Sequence, residues 1–310
     1  MRVMQIIETP KGLALEPSER PVPKPGPGEL LIRVRAAGVT TTELQWEPTT
    51  HNPDGSPRQH AIPSHEFSGE VCARGDGIED VEVGQPVFGM NDWYQEGALA
   101  EFCVAPATSV ANKPKSLSYE QAATVPIGAL TAWQGLTTHG HLRSGQRVLI
   151  HGGAGGVGIF AVQFAKSLDA HVIATTAAAT IPLVKKLGAD EVIDYRGARF
   201  DLHLRNIDLV LDTVGGETLQ HSWNVLGTTG RVVTVVSDIP VNAPQRTKGT
   251  FFIVEPDGKR LAEIAALLDS GKLQTFVKNA ASLKEAELAY TNSLPNGLAY
   301  GKTVVCMRKS

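Results

Sequence analysis

No feature constrains this chain more than residues 148–168, VLIHGGAGGVGIFAVQFAKSL. An apolar run enters a cluster of glycines, and an alanine-rich apolar stretch with helical spacing leaves it. The glycines are spaced Gly153-x-Gly155-x-x-Gly158. That spacing alone is weak, because any tight turn between a strand and a helix can carry it. Its meaning depends on the flanking segments.

The flanks are informative. From residue 147 onward, apolar strands alternate with helical segments: RVLIHG, a helix over 156–168, HVIATT, a helix in IPLVKKLGA, then EVIDY, IDLVLDTV and RVVTVV. Continuous apolar strands joined by helices predict a parallel sheet buried on both faces. The first hundred residues differ. Short runs such as LLIRVRAAGV (30–39), FSGEVCARG (67–75) and AEFCVAP (100–106) are separated by Pro/Gly turns, which predicts an irregular, mostly β domain. Near 118 the texture changes again, with Ser118 placed as the N-cap of a helical run, SYEQAATVPIGALTAWQGL. GKRLAEIAALLDSGKL reads as an amphipathic helix presenting Leu261, Ile264, Ala265 and Leu268, and GKTVVCMR as a terminal strand. The expected division is 1–118, a parallel-sheet domain at 119–258, and a return of 259–310 to the first domain.

With 310 residues, 42% hydrophobic and 20% charged, the chain has the balance of a globular protein with two cores. A net charge of −3 argues against broad neutralisation of nucleic-acid phosphates. No apolar stretch approaches membrane-spanning length. Cys72, Cys103 and Cys306 are far apart and odd in number, so they form no disulfide framework or CxxC pair. A soluble, cytoplasmic protein is expected.

The glycine loop therefore follows a strand, opens a helix and lies in a βαβ unit of about thirty residues, the context a dinucleotide site requires. Gly153 is expected to permit the turn. Gly155 would lie where a side chain would block a pyrophosphate and where the backbone favours positive φ. Gly158 would let the helix pack on the strand, and Gly156 and Val157 complete the turn. The next strand ends ATTAAAT, placing Thr175 and Thr176 where NAD-preferring sites carry Asp or Glu. Without that carboxylate nothing repels a 2′-phosphate, which favours NADPH.

ALTAWQGL, VLIHGGAGGVGIFAVQFAK, KKLGADEVIDYR, DLVLDTVGGE and the ending GKTVV together resemble the medium-chain dehydrogenase/reductase superfamily, in its zinc-independent quinone oxidoreductase (zeta-crystallin-like) group, over essentially the whole length. The resemblance implies an α/β protein: a Rossmann parallel-sheet domain plus a GroES-like, mostly β catalytic domain built from both chain ends, with NADPH in the cleft between them. It places Tyr195 and Arg196 near the 2′-phosphate. The family's lysine there falls on Thr180, and Lys185 is a candidate substitute. Thr131 is placed near the nicotinamide ribose, Thr213 and Val214 beneath the cofactor, and Val235, Val236 and Ser237 at the strand end that binds the carboxamide. Thr40 falls where the group usually has Asn, and Glu43 on its acid.

Zinc alcohol dehydrogenases of the same superfamily carry a Cys after GV, a His-Glu pair and a later Cys. This chain keeps His65 and Glu66 but has Thr40 and Gly128 at the other two positions. One imidazole and one carboxylate do not make the usual three-ligand site, so no metal is expected. Hydride transfer to an already electrophilic acceptor, a quinone or an α,β-unsaturated carbonyl (enone), then suits the site best. Hydrogen bonds to the acceptor oxygen are expected from Thr41, His65, Tyr94 or the nicotinamide ribose, and an apolar wall from Trp46, Phe88, Met90, Trp93 and Phe252. The expected partners are this small molecule and, by family analogy, a second copy joined at the edge near RVVTVV; neither nucleic acid nor membrane is expected. Two rival readings stand: a zinc-type alcohol dehydrogenase with substituted ligands, and a non-catalytic NADPH-binding protein.

Overall fold

The computed structural model describes residues 1–10, 12–236, 239 and 249–307. In chain order the strands among them are β1 (Arg2–Thr9), β2 (Gly12–Glu19), β3 (Glu29–Gly38), β4 (Glu66–Arg74), β5 (Pro86–Met90), β6 (Phe102–Pro106), β7 (Val110–Asn112), β8 (Arg147–His151), β9 (His171–Thr176), β10 (Glu191–Asp194), β11 (Ile207–Asp212), β12 (Leu226–Thr234), β13 (Gly249–Phe251), β14 (Val277–Ser282) and β15 (Lys302–Cys306). They fall into two compact units. One comprises Met1–Ile127, Pro256–Leu298 and the chain from Lys302; the other comprises Gly128–Glu255 and Ala299–Gly301.

The first unit holds the β1–β2 hairpin and a seven-stranded sheet in the order β14-β15-β3-β4-β5-β7, with β6 also pairing β3. All pairings are antiparallel except β14 with β15. Along β3, Leu30, Ile32 and Val34 point into a core with Phe67 and Leu99 while Arg33 stays exposed, the period-2 alternation of a strand with one solvated face. The helix Gly258–Asp269 buries Leu261, Ile264, Ala265 and Leu268, the stripe its spacing predicts, and Asp257 caps it by accepting from the Arg260 amide at 2.9 Å.

The second unit is a six-stranded sheet in the order β10-β9-β8-β11-β12-β13, parallel throughout. Counted within the unit this is 3-2-1-4-5-6, the Rossmann order, and the direction of winding reverses between β8 and β11. Val148, Leu149 and Ile150 of β8 are fully buried, as are Val172 and Ile173 of β9 and Val210 and Leu211 of β11. Burial on both faces explains the uninterrupted apolar runs.

Two sequence expectations shift. The run after Ser118 is not one helix. Ser118 caps Tyr119–Ala122 through a capping box with Gln121, and a second helix starts at Pro126 and runs to Gln134. Proline cannot continue a helix from behind, but it is favoured in the first turn of a new one. The short helix is tied to β4, since Ser68 donates to the Tyr119 carbonyl at 2.5 Å and the Tyr119 phenol to Glu70 at 2.9 Å. The units therefore divide at Ile127/Gly128 and Glu255/Pro256 rather than at 118 and 258. The texture change at 118 marks the start of a helix, not the end of a domain.

Candidate functional site: a nucleotide cradle and a buried acid–imidazole cluster

The ends of the parallel strands are in register at the reversal point, with His151 opposite Thr175 and Asp212 opposite Thr234. The glycine loop leaves β8 there. Gly152 takes the left-handed conformation (φ 75°), which a side chain strongly disfavours, and a Cβ on it would also meet the Thr213 hydroxyl at 2.6 Å. Gly153 donates to the Thr175 carbonyl at 2.9 Å, and Gly155 to the Gly152 carbonyl at 2.9 Å. The helix Gly158–Ser167 then begins, with Val157 as its N-cap residue. A Cβ at Gly158 would lie 2.1 Å from the Gly152 carbonyl oxygen, so the helix can approach the loop this closely only with glycine there.

One expectation is corrected here. The left-handed turn residue is Gly152, not Gly155, whose φ is not positive. Gly155 is exposed, and a Cβ there would touch only the Gly152 carbonyl, at 3.2 Å. The amides of Gly156 and Val157, which follow it, have no partner among the described residues. Unpaired N–H groups at a helix N-terminus are the donors a pyrophosphate requires. The residues present fit that group.

The neighbouring turns complete the rim. Buried Asp212 accepts from the amides of Val214 (3.1 Å) and Gly215 (3.0 Å) and from the Thr234 hydroxyl (2.8 Å). Thr213 donates to the His151 carbonyl at 2.8 Å. Val214 and Val236 stay half exposed (50% and 45%), and Val235 donates to the Asp212 carbonyl at 3.2 Å. The structure thus gathers Gly153, Gly155, Gly156, Val157, Gly158, Thr213, Val214, Val235 and Val236 at one end of one sheet. Ser237 lies outside the described residues. Thr131 is buried in the same unit, on the helix Pro126–Gln134.

At the end of β9 the sequence reading of the two threonines is corrected. Thr180 donates to the Ala177 carbonyl at 2.9 Å, so in its 2.6 Å contact with Thr176 the proton comes from Thr176. Thr175 is bonded to His151 Nδ1 at 3.0 Å. Both threonines are 4% exposed, and their hydroxyls are spent inside the protein rather than on a phosphate. A cationic residue, Arg196, follows β10, whose last residue Asp194 pairs with Thr176. The Tyr195 amide donates to the Thr176 carbonyl at 3.2 Å, and the Arg196 guanidinium lies 5.5 Å from the centroid of the exposed Tyr195 ring. Lys185 is exposed on its helix.

In the first unit, Glu43 and His65 are completely buried, with His65 Nδ1 2.6 Å from Glu43 Oε1. The other ring nitrogen lies 3.3 Å from the Gln95 carbonyl, so both ring nitrogens have protein partners. Glu43 also accepts from the Ser64 amide at 2.7 Å and from the Tyr290 phenol at 3.3 Å. Ser64 holds a positive φ (71°), a strained conformation fixed by these bonds and by its hydroxyl bond to the Gly38 carbonyl at 2.7 Å. Glu66 pairs with Lys302 and accepts from the Ile127 amide at 2.9 Å. Burial raises its carboxyl above the usual range, and the Lys302 ammonium opposes that rise.

His65 is therefore an interior residue with both nitrogens committed, not a free donor to a substrate. Phe88 and Met90 are fully buried in β5 and belong to the core, which corrects their place in an apolar wall. Trp46 and Trp93 stay partly exposed, edge to face at 5.5 Å, and Trp93 lies 5.1 Å from His65. Phe252 is buried in the second unit, stacked on His139 at 4.2 Å. Thr40 is half buried and Thr41 exposed. Tyr94 is exposed and lines an open cavity of about 530 Å³ in the first unit with Arg20, Lys24 and Arg58.

The donor set does not fit a catalytic zinc. Among the described residues, no three His, Cys, Asp or Glu side chains are grouped to hold a metal ion. Gly128 has a steric reason of its own, because a Cβ there would lie 2.4 Å from the Gly156 carbonyl oxygen. The glycine loop occupies the space that any ligand side chain at 128 would need.

Sequence reasoning missed Gly152, His151 and Gly301, and noted Gly128 only as the residue at a zinc-ligand position, without its contact to the loop. The Gly301 amide donates to the Ala154 carbonyl at 3.1 Å and so straps the loop. Gly152 was visible as the first glycine after β8, whereas Gly128 and Gly301 carried no local signal.

Comparison with known proteins agrees with this geometry. Residues 26–115 match the alcohol dehydrogenase GroES-like domain, and residues 187–305 a domain described as zinc-binding dehydrogenase. A mitochondrial NAD(P)H oxidoreductase of Mus musculus is 33% identical, over 90% of this chain and 82% of its own. The quinone oxidoreductase from Coxiella burnetii superposes with a TM-score of 0.85 at 28% identity, covering 99% of both chains. A mycobacterial protein complexed with NADPH does so with a TM-score of 0.81 at 28% identity, covering 99% of this chain and 100% of its own. With a GroES-like unit, a Rossmann unit and relatives of this kind, the chain belongs to the medium-chain dehydrogenase/reductase superfamily, in its quinone oxidoreductase group.

Proposed function

We propose that this protein is an NADPH-dependent oxidoreductase that transfers hydride to a quinone or to the β-carbon of an α,β-unsaturated carbonyl, without a metal. The observation that carries the reading is the end of β9 beside the glycine loop. Thr176 is followed by Ala177, Ala178 and Ala179, so this segment itself carries no carboxylate to accept from ribose hydroxyls or to repel a 2′-phosphate, and exposed Arg196, just after β10, would supply positive charge. The NAD(P)H relative and the NADPH-complexed neighbour support the cofactor, and the quinone oxidoreductase neighbour supports the acceptor.

When bound, the nicotinamide supplies the hydride. The amides of Gly156 and Val157 would hold the pyrophosphate, and Arg196 would supply charge toward the 2′-phosphate. An acceptor with a conjugated carbonyl needs no Lewis acid, because its own oxygen takes up the charge; hydrogen-bond donors then suffice. Of the candidates in the first unit, Thr41 and Tyr94 keep exposed side chains for that purpose. NADPH oxidation measured with benzoquinone and with a panel of enones tests the proposal. Turnover with at least one class, at lower cofactor concentration than with NADH, is expected. No turnover with either class, or a preference for NADH, overturns it.

A further inference from the structure

His151 is the last residue of β8, at the entrance to the glycine loop, and it is completely buried. Its ring touches two other elements. Nδ1 lies 3.0 Å from the Thr175 hydroxyl at the end of β9, and Nε2 lies 3.1 Å from the Ser222 hydroxyl on the helix Gly216–Ser222. The Ser222 hydroxyl donates its only proton to the Thr218 carbonyl at 2.7 Å. It must therefore accept from His151, which makes Nε2 the protonated nitrogen and Nδ1 the acceptor from Thr175. The chain of donors runs one way, from Thr175 through His151 and Ser222 to the Thr218 carbonyl.

The groups so fixed are those that place the loop. Thr175 is the residue whose carbonyl receives the Gly153 amide, and the His151 carbonyl receives the Thr213 hydroxyl that lies against Gly152. We infer that His151 is a positioning residue for the nicotinamide cofactor: a neutral imidazole that locks the ends of β8 and β9 to the helix after β11 and thereby sets the phosphate-binding amides. This deepens the proposed function and rests on it for the identity of the ligand. Burial pushes the imidazole down to about 4, and Asp212 is the ionised group opposing that shift, so the ring is neutral at physiological pH. The Phe200 ring packs against it, with ring centroids 4.6 Å apart.

The test compares wild type with His151→Phe, which removes both bonds at similar volume, and with His151→Gln, which can restore a donor toward Ser222. NADPH dissociation constants, unfolding midpoints and turnover at saturating NADPH are measured for all three. For His151→Phe, a rise of tenfold or more in the NADPH dissociation constant is expected, with saturated turnover within twofold of wild type. His151→Gln is expected to recover part of the affinity. Nitrogen-15 NMR of the wild type at pH 7 is expected to show His151 protonated at Nε2 alone, a readout that stands even if the Phe variant does not fold. A folded His151→Phe variant with unchanged NADPH affinity, or an Nδ1-protonated or doubly protonated ring, overturns the positioning role. A wild type that binds neither NADPH nor NADH overturns the function proposal itself, and the two failures are distinct.

Discussion

Replacing Gly155 with valine separates the phosphate cradle from the fold. The position is exposed, its φ is compatible with any residue, and a Cβ there meets a single atom, the Gly152 carbonyl oxygen at 3.2 Å. A displacement of a few tenths of an ångström relieves that contact, so unfolding stability should change by less than about 1 kcal/mol. The isopropyl group would stand next to the unpaired amides of Gly156 and Val157 and crowd a phosphate bound to them. Two hydrogen bonds to a charged phosphate, roughly 1.5–3 kcal/mol each, would be lost. That corresponds to about 3–6 kcal/mol, or at least a hundredfold in Kd. Calorimetric titration with NADPH, beside a melting curve of the cofactor-free protein, reads both quantities. Gly158→Ala is the contrasting control: its Cβ at 2.1 Å from a backbone carbonyl should lower the melting temperature by several degrees, from about 1–3 kcal/mol of overpacking. A folded Gly155→Val protein that binds NADPH normally would refute the cradle.

Other expectations follow from the same geometry. Arg196→Gln should bring the NADPH and NADH dissociation constants within about twofold of each other, because one exposed cation is worth only about 1 kcal/mol; a preference left intact would show that another group reads the 2′-phosphate. With His151 at about 4 in the folded state and 6.5 unfolded, its share of stability is complete above pH 6.5, shrinks as pH falls and is lost through pH 4. Roughly 3 kcal/mol is at stake, so wild type should lose more stability between pH 7 and 4.5 than His151→Phe in urea unfolding; parallel losses would refute this. Purified protein should carry well under one zinc per chain, with turnover unchanged by a chelator; stoichiometric zinc with chelator-sensitive turnover would contradict the donor-set argument. The β13 edge should pair with a second copy, and a monomer by light scattering at micromolar concentration would exclude it.

What the sequence made legible was whatever is written locally. The apolar runs of β8, β9 and β11 are unbroken because both faces are covered. The stripe of Leu261, Ile264, Ala265 and Leu268 has a single period, and Ser118 and Gln121 form a capping box within four residues. What stayed hidden was set by distant neighbours. Nothing near Gly128 announces that the Gly156 carbonyl lies where its Cβ would be, and nothing near Ser222 announces His151. The roles of Thr175 and Thr176 could not be read either, because a hydroxyl's use depends on where its one proton goes.

The order of strands in the first unit has a consequence for synthesis. β15, more than 250 residues after β3 in the chain, lies between β14 and β3 in the sheet. Until residues 302–306 leave the ribosome, β3 lacks that neighbour, and its Ala36–Gly38 backbone offers unpaired groups through the translation of more than 250 residues. Apart from the short Ala299–Gly301 strap, the parallel sheet is drawn from one continuous stretch, so it can assemble first even though it begins later. The sheet of the first unit is thus completed only after residues 302–306 are made. A nascent chain stalled short of residue 302 should be captured by chaperones through β3, with its nucleotide unit already folded.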